Sequence, residues 1–141
     1  MIRKYMKGDA KKVDVQEEQL HEIKAGIDFF DFISAYTLVD NDKILGVWGF
    51  DFISKNEVQC FALLGKECGK KIVELIKFLK MRIPLEMNKL KLQRAIFTVK
   101  DDFLQAHRMA KMLGFRVVKK LPLFFDGCDY QLYERVLKDE C

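Results

Sequence analysis

The sequence predicts an α+β fold in which helices cover both faces of a β-sheet. Between Ala35 and Leu64, three segments alternate apolar and polar residues with the period of two that marks half-buried strands. A helix follows them, with apolar residues three or four positions apart at Ile72, Leu75, Ile76 and Leu79. A further strand, helix and two strands complete the order, and packing helices on a sheet buries the apolar faces of both.

Bulk composition indicates one globular domain spanning residues 1–141, with 50% hydrophobic and 33% charged residues. The net charge of +4 is too small to favour nucleic acid, and it suits a polyanionic small ligand equally well. The four cysteines lack paired C-x-x-C spacing, so we expect no metal site. With no signal segment and no apolar run of membrane-spanning length, we expect a cytoplasmic protein that does not enter the membrane.

The N-terminal third is the least regular part. Residues 2–6 read as a short strand, and Gly8 and Asp9 offer a break and an N-cap for a helix running roughly to Lys24. Gly26 ends that helix. The apolar run over residues 29–33 fits either a second short helix or the entry to a strand.

A three-strand meander follows. It comprises strands over residues 35–39, 43–53 and 57–64, joined by polar turns at residues 40–42 and 54–56. One strand face carries Trp48, Phe50 and Phe52, and we expect this face to pack in the core.

The last part alternates helix and strand. The helix after the meander is expected to end or kink at Pro84, and residues 93–99 form the next strand. Asp101 and Asp102 can cap a second helix, with Gly114 just past its end, and residues 115–125 and 130–137 are the final strands. Aromatic residues near the end belong to the core or to an exposed patch that favours a protein partner or homo-oligomer: Phe124, Phe125, Tyr130 and Tyr133.

The turn between the third meander strand and the helix carries the clearest functional signal. It holds Gly65 and Gly69 with Lys66 and Lys70 beside them, at a point where the first helical amides have no intrahelical partner. Such amides, at the positive end of the helix dipole, can receive a phosphate group. The alternative is a pair of ordinary turn glycines beside a solvated lysine face. Cys68 is expected to have a lowered pKa at this helix start.

This element order, with the glycine turn and the later Leu113-Gly114-Phe115, resembles the GNAT family of acyl-CoA-dependent N-acyltransferases. The resemblance implies a central mixed, mostly antiparallel sheet whose fourth strand is splayed from the fifth. It also implies acetyl-CoA or another acyl-CoA as cofactor and an amine as acceptor. The pantetheine arm would pair with the fourth strand, and the pyrophosphate would lie on the loop that follows. The cofactor-binding residues would then be Phe61, Ala62, Leu63, Gly65, Lys66, Cys68, Gly69 and Lys70.

Several positions depart from the family pattern. The loop places that the family fills with Gln or Arg, Gly, and Gly or Ala hold Leu64, Glu67 and Gly69 here. Ala110 stands where the family often has a tyrosine that protonates the departing thiolate, and a methyl group cannot donate a proton. His107, one turn earlier on the same helix face, is a candidate substitute acid, and the alternative is a surface or packed histidine. The candidate bases for the amine are Glu57, Cys60 and Asp51.

A second resemblance is to small tailed-phage proteins of the gene-thirteen type. It is carried by Ile2-Arg3, Lys24-Ala25-Gly26-Ile27 and Leu64-Gly65-Lys66. It implies a non-catalytic GNAT-shaped module that acts through protein contacts in virion assembly, in the host cytoplasm or the virion. The sequence therefore predicts a GNAT-like fold with two functional hypotheses, an N-acyltransferase and a non-catalytic assembly protein.

Overall fold

The computed structural model describes residues 1–20 and 34–136. In these ranges the chain forms seven strands, which are β1 (Ile2–Lys4), β2 (Ser34–Asp40), β3 (Lys43–Ser54), β4 (Glu57–Leu64), β5 (Arg94–Lys100), β6 (Arg116–Phe125) and β7 (Cys128–Val136). Two α-helices are described, α1 (Ile72–Lys89) and α2 (Leu104–Met112). Short 3₁₀ turns cover Asp9–Lys12, Glu17–Gln19 and Gly69–Lys71.

The strands form one sheet in the order β1-β2-β3-β4-β5-β7-β6. β4 pairs with β5 in parallel, whereas β1 with β2, β2 with β3, β5 with β7 and β6 with β7 are antiparallel. The sheet is therefore mixed and mostly antiparallel, which confirms the predicted α+β class. β7 lies between β5 and β6, an insertion that follows from no local pattern.

The chain divides into two compact units. The first comprises Met1–Phe50 and Phe61–Leu75, and the second Asp51–Cys60 and Ile76–Cys141. The single domain over residues 1–141 stays a prediction.

The first unit buries an apolar cluster drawn from its N-terminal segment and its strands. The buried members are Ala10, Val13, Val15, Ala35, Val47 and Leu63. The buried Asp9 accepts hydrogen bonds from Arg3 Nη1 at 2.7 Å and Thr37 Oγ1 at 2.7 Å, and from the Met6 amide at 2.8 Å. Burial alone would raise the pKa of Asp9, but the Arg3, Met6 and Thr37 bonds outweigh it and lower that pKa.

The helix predicted from Asp9 to about Lys24 is wrong over the residues up to Gln19. Two 3₁₀ turns occupy this stretch, separated by extended residues that include Val15, which bridges to Gly65. Asp9 is a buried ion-pair partner and not an exposed cap, so tertiary contacts override the local helical signal. The predicted end of that helix, Gly26 and the run over residues 29–33 lie outside the described residues.

Two further expectations need correction in part. Pro84 does not end α1, which continues to Lys89, because the buried positions Ile83 and Met87 extend the apolar face of the helix past the proline. A kink at Pro84, the other alternative, stays a prediction. Phe52 is 52% exposed, whereas Trp48 and Phe50 on the same strand are buried.

The second unit packs α2 through the predicted face. Phe103, Ala106, Ala110 and Leu113 are all buried, and Gly114 follows the helix with a φ of 88°. Of the two alternatives for the aromatic residues near the end, the core holds for Tyr130 and Tyr133, which are buried, while Phe124 is exposed. β6 is the terminal strand of the sheet, and residues 116–120 on it are exposed.

Candidate functional site

Gly65, the first glycine of the turn, is required by close backbone packing. Its amide donates to the Leu45 carbonyl at 2.8 Å. A Cβ built at Gly65 would stand 2.6 Å from that oxygen, closer than real Cβ atoms come. A side chain at this position is therefore excluded by β3, whatever the loop binds.

Gly69 differs from Gly65 in both conformation and surroundings. Its φ of +45° lies in the left-handed region, and no heavy atom lies within 4 Å of the place of its Cβ. It begins the short 3₁₀ turn that leads directly into α1. The space at Gly69 is open, as a loop that receives a ligand requires.

The backbone amides of this loop are only partly used. Those of Gly65, Lys66, Cys68 and Lys71 donate to the carbonyls of Leu45, Asp14, Gly65 and Cys68, respectively. Among the described residues, the amides of Glu67, Gly69 and Lys70 have no backbone acceptor. These three N–H groups stand at the start of an 18-residue helix, where the dipole favours an anion.

The charges around the loop are mostly paired with one another. Glu67 accepts two bonds from Lys43 Nζ, at 3.2 and 3.3 Å. Lys66 lies 3.9 Å from Asp14, and Lys71 lies 3.8 Å from Asp40. Lys70 has no carboxylate partner in the described ranges. Because exposed pairs of this kind contribute little, an anionic ligand could recruit these lysines at low cost.

The expectation for the Cys68 thiol is wrong. Its side chain is fully buried, and burial raises its pKa to about 11. Cys60 is likewise buried, and burial raises the pKa of its thiol too. Cys60 therefore packs as a small apolar group of the core.

One edge of β4 beyond Phe61 is occupied by side-chain and backbone groups from residues 14–19. Gln19 Nε2 donates to the Ala62 carbonyl at 2.6 Å, and Gln19 Oε1 accepts from the Leu64 amide at 2.8 Å. The Gln16 amide donates to the Leu64 carbonyl at 3.2 Å. Phe61 and Leu63 direct their backbone groups to the other edge, since these alternate along a strand, and the Leu63 carbonyl lies beside Gly46.

The sequence did not single out Gln19. Gln19 lay within a predicted helix, and its role depends on a contact 43 residues away along the chain. No periodicity or motif could have indicated such a contact.

Parallel pairing of β4 with β5 covers four residue pairs, from Glu57 with Arg94 to Cys60 with Phe97. β4 continues to Leu64 and β5 to Lys100. The two strands are therefore not paired along their full length in the described residues. Such full pairing would have excluded the splayed arrangement. The splayed arrangement itself stays a prediction.

His107, the predicted acid, has hydrogen-bond partners at both ring nitrogens. Nδ1 lies 2.7 Å from the Tyr133 hydroxyl, and Nε2 lies 3.0 Å from the carbonyl oxygens of Lys100 and Asp101. Carbonyl oxygens only accept, so Nε2 carries a proton, and in the tautomer that holds its single proton there Nδ1 accepts from the Tyr133 hydroxyl. The side chain is 8% exposed, and burial raises the pKa of Tyr133. These contacts are those of a structural histidine.

Glu57, the predicted base, belongs to a network of ion pairs across the sheet. Its carboxylate accepts from Arg94 Nη1 at 3.1 Å, and Arg94 Nε donates to Glu134 at 2.7 Å. Tyr133 and Glu134 are consecutive on β7, so their side chains leave opposite faces. The structure therefore does not bring His107 and Glu57 together as an acid–base pair.

The described residues contain no group of three or more His, Cys, Asp or Glu side chains that could hold a metal ion. None of their helices is both long enough and apolar enough to span a bilayer.

No family model matches the chain, and no curated protein matches it. Solved structures do. An N-acetyltransferase from Staphylococcus aureus Mu50 superposes with a TM-score of 0.72 at 15% identity, covering 98% of each chain. A GNAT-family acetyltransferase from Bacillus anthracis gives 0.71 at 15%, covering 96% of this chain and 93% of its own. Ard1 from Thermoplasma volcanium gives 0.70 at 17%, covering 99% and 98%.

The chain therefore has the fold of the GNAT N-acetyltransferases, as the sequence predicted. These neighbours lend no support to the resemblance to phage proteins. At such identities the comparisons establish the fold and leave the chemistry to be argued from residues.

Proposed function

We propose that this protein is an N-acyltransferase that transfers an acyl group, in the simplest case acetyl, from acyl-CoA to an amine. The observation that carries the proposal is the helix start after β4. The amides of Glu67, Gly69 and Lys70 lack backbone acceptors in the described part of the chain, and the space beside Gly69 is open. Because coenzyme A exists inside cells, the proposal assigns the protein to the cytoplasm.

The residues of the loop fit a pyrophosphate. Open amides at the start of a long helix, with lysines beside them, are the donors that phosphate oxygens prefer. Gly69, Lys70 and Lys66 would hold the phosphates, the Lys66 side chain exchanging its 3.9 Å contact with Asp14 for the ligand. The Ala62 carbonyl would accept a hydrogen bond from the pantetheine arm, and the Leu64 amide would donate one to it.

Acyl-CoA would supply an activated thioester carbonyl, and the chain would supply orientation. A bound thioester held against a rigid strand lowers the entropic cost of attack by the amine. His107 as the acid and Glu57 as the base stay predictions, and the contacts of both residues favour structural roles. The proposal therefore rests on binding and positioning.

Titration with acetyl-CoA at low ionic strength, followed by calorimetry, tests the proposal. The wild type should bind, and Gly69→Glu should abolish binding because it puts a carboxylate into the open space at the helix start. Lys70→Ala should weaken binding about fivefold through loss of one charge-assisted contact. Lys77→Ala, an exposed lysine farther along α1, is the matched control and should bind as the wild type does.

Circular dichroism should show that each variant is folded. A second protein in this test is Gln19→Met, which lacks the side-chain amide bonded to the edge of β4. If neither it nor the wild type gives heat at millimolar acetyl-CoA, the proposal fails, and a role through protein contacts becomes the better account.

A further inference from the structure

We infer that Gln19 is a built-in competitor of the cofactor: its side-chain amide occupies the backbone groups of β4 that a pantetheine amide would use. The inference rests on the proposed function and adds a regulatory element to it. Acyl-CoA then binds only to molecules in which Gln19 has left the edge of β4.

The geometry of the contact supports this role. Gln19 donates to the Ala62 carbonyl and accepts from the Leu64 amide. In a parallel ladder, one residue of a neighbouring strand makes this same pair of bonds, to the carbonyl before and the amide after its partner. The glutamine side chain thus imitates one residue of a paired strand, which is also what an extended ligand with amide groups would do.

Burial makes the contact persistent. The Gln19 side chain is 3% exposed, and the two bonded backbone groups would be left unpaired if it moved away without replacement. A ligand that merely filled space would lose these bonds, whereas one that carries an N–H and a carbonyl can replace them. The site is therefore selective for amide-bearing ligands such as pantetheine.

The neighbouring contacts extend the competition to the loop. The Lys66 amide donates to the Asp14 carbonyl at 2.8 Å, and the Gln16 amide donates to the Leu64 carbonyl. Residues 14–19 thus hold donors and acceptors on either side of Gly65. Removing the Gln19 amide frees the strand edge while leaving these backbone contacts in place.

Gln19→Met tests the inference because it keeps the length and apolar contacts of the side chain but lacks the amide. We call the form in which Gln19 occupies the edge of β4 closed. Two hydrogen bonds of ordinary net strength favour this closed form by a factor of about ten to a hundred. The variant should therefore bind acetyl-CoA at least about tenfold more tightly than the wild type, since the apparent affinity falls with the fraction of closed molecules. Gln59→Met, the same change on the paired part of β4, is the matched control and should leave the affinity unchanged.

The outcomes separate the inference from the proposed function. Equal or weaker binding by Gln19→Met, with clear binding by the wild type, overturns the inference and leaves the proposed function standing. No binding by either protein overturns the proposed function. Binding by the variant alone supports both.

A measurement on the wild type covers the case in which Gln19→Met does not fold. The side-chain NH₂ protons of Gln19 should exchange slowly with water in the free protein and rapidly at saturating acetyl-CoA. Exchange that stays slow at saturation overturns the inference.

Discussion

The polar groups proposed for function are satisfied differently in the two compact units. In the first unit, β4 backbone groups are bonded by one replaceable side chain, Gln19, and three amides of the next loop have no described backbone acceptor. In the second unit, His107 has three partners within its own unit. A ligand could replace the bonds at β4. For His107 to act as an acid, its hydrogen bonds to Tyr133 and to two backbone carbonyls would first have to break. The comparison supports the proposal that the cofactor binds to the first unit.

Asp9 is the exception that limits this comparison, because it is a fully bonded charge in the first unit. Asp9→Ala should cost about 4 kcal/mol of unfolding free energy, since Arg3 loses its partner in a largely buried pair. Chemical denaturation of both proteins measures this loss. A cost below about 1 kcal/mol, typical of exposed pairs, would show that the network contributes little.

The lowered pKa of Asp9 also fixes the sign of a pH effect. The unfolded state binds the proton more readily, so the stabilisation is complete above the unfolded pKa of about 4 and is lost as pH falls through the lower folded pKa. Asp9→Asn should lack this acid-dependent part of the stability. Parallel denaturation curves of the two proteins between pH 2 and 6, differing by a constant amount, would contradict this assignment.

His107→Ala tests the closed network of the second unit. It removes the partner of the buried Tyr133 hydroxyl and of two carbonyls, so we expect a loss of about 3 kcal/mol. If His107 is structural, kcat for acetyl transfer should stay within about threefold at a temperature where the variant is folded. A fall in kcat of about a hundredfold or more with unchanged KM would instead identify His107 as the acid.

Tyr133→Phe is the matched control for His107→Ala, because it removes the same hydrogen bond from the other side while keeping the ring. It should cost about 1 kcal/mol.

The two glycines of the loop give the sharpest contrast within the first unit. Gly65→Ala should cost about 2 kcal/mol, because its Cβ would collide with the Leu45 carbonyl. Gly69→Ala should cost about 1 kcal/mol, the penalty of a left-handed conformation in open space. Denaturation curves measure both costs. A larger cost for Gly69→Ala than for Gly65→Ala would show that a side chain at position 69 collides with a neighbour.

The order and type of most elements could be predicted from local pattern. The strands over residues 34–64, the helix after them and the strand–helix–strand–strand end follow from periodicities of two and 3.6 and from turn residues. The helix predicted from Asp9 and a helix end at Pro84 were wrong, because an ion pair and a buried helix face outweigh local propensity. For the site, the sequence indicated the helix start after β4 but not which of its glycines is a packing requirement.

The sequence by itself determined the α+β class and the strand–glycine turn–helix segment, because side-chain periodicity and glycine conformation are local properties of the chain. Only the tertiary structure decided that β7 lies between β5 and β6, that His107 is enclosed by Tyr133 and two carbonyls, and that Gln19 bonds the edge of β4. Each of these depends on hydrogen bonds between residues distant in the chain. Buried backbone and side-chain polar groups must be hydrogen-bonded, but the local sequence pattern does not specify which distant group becomes the partner.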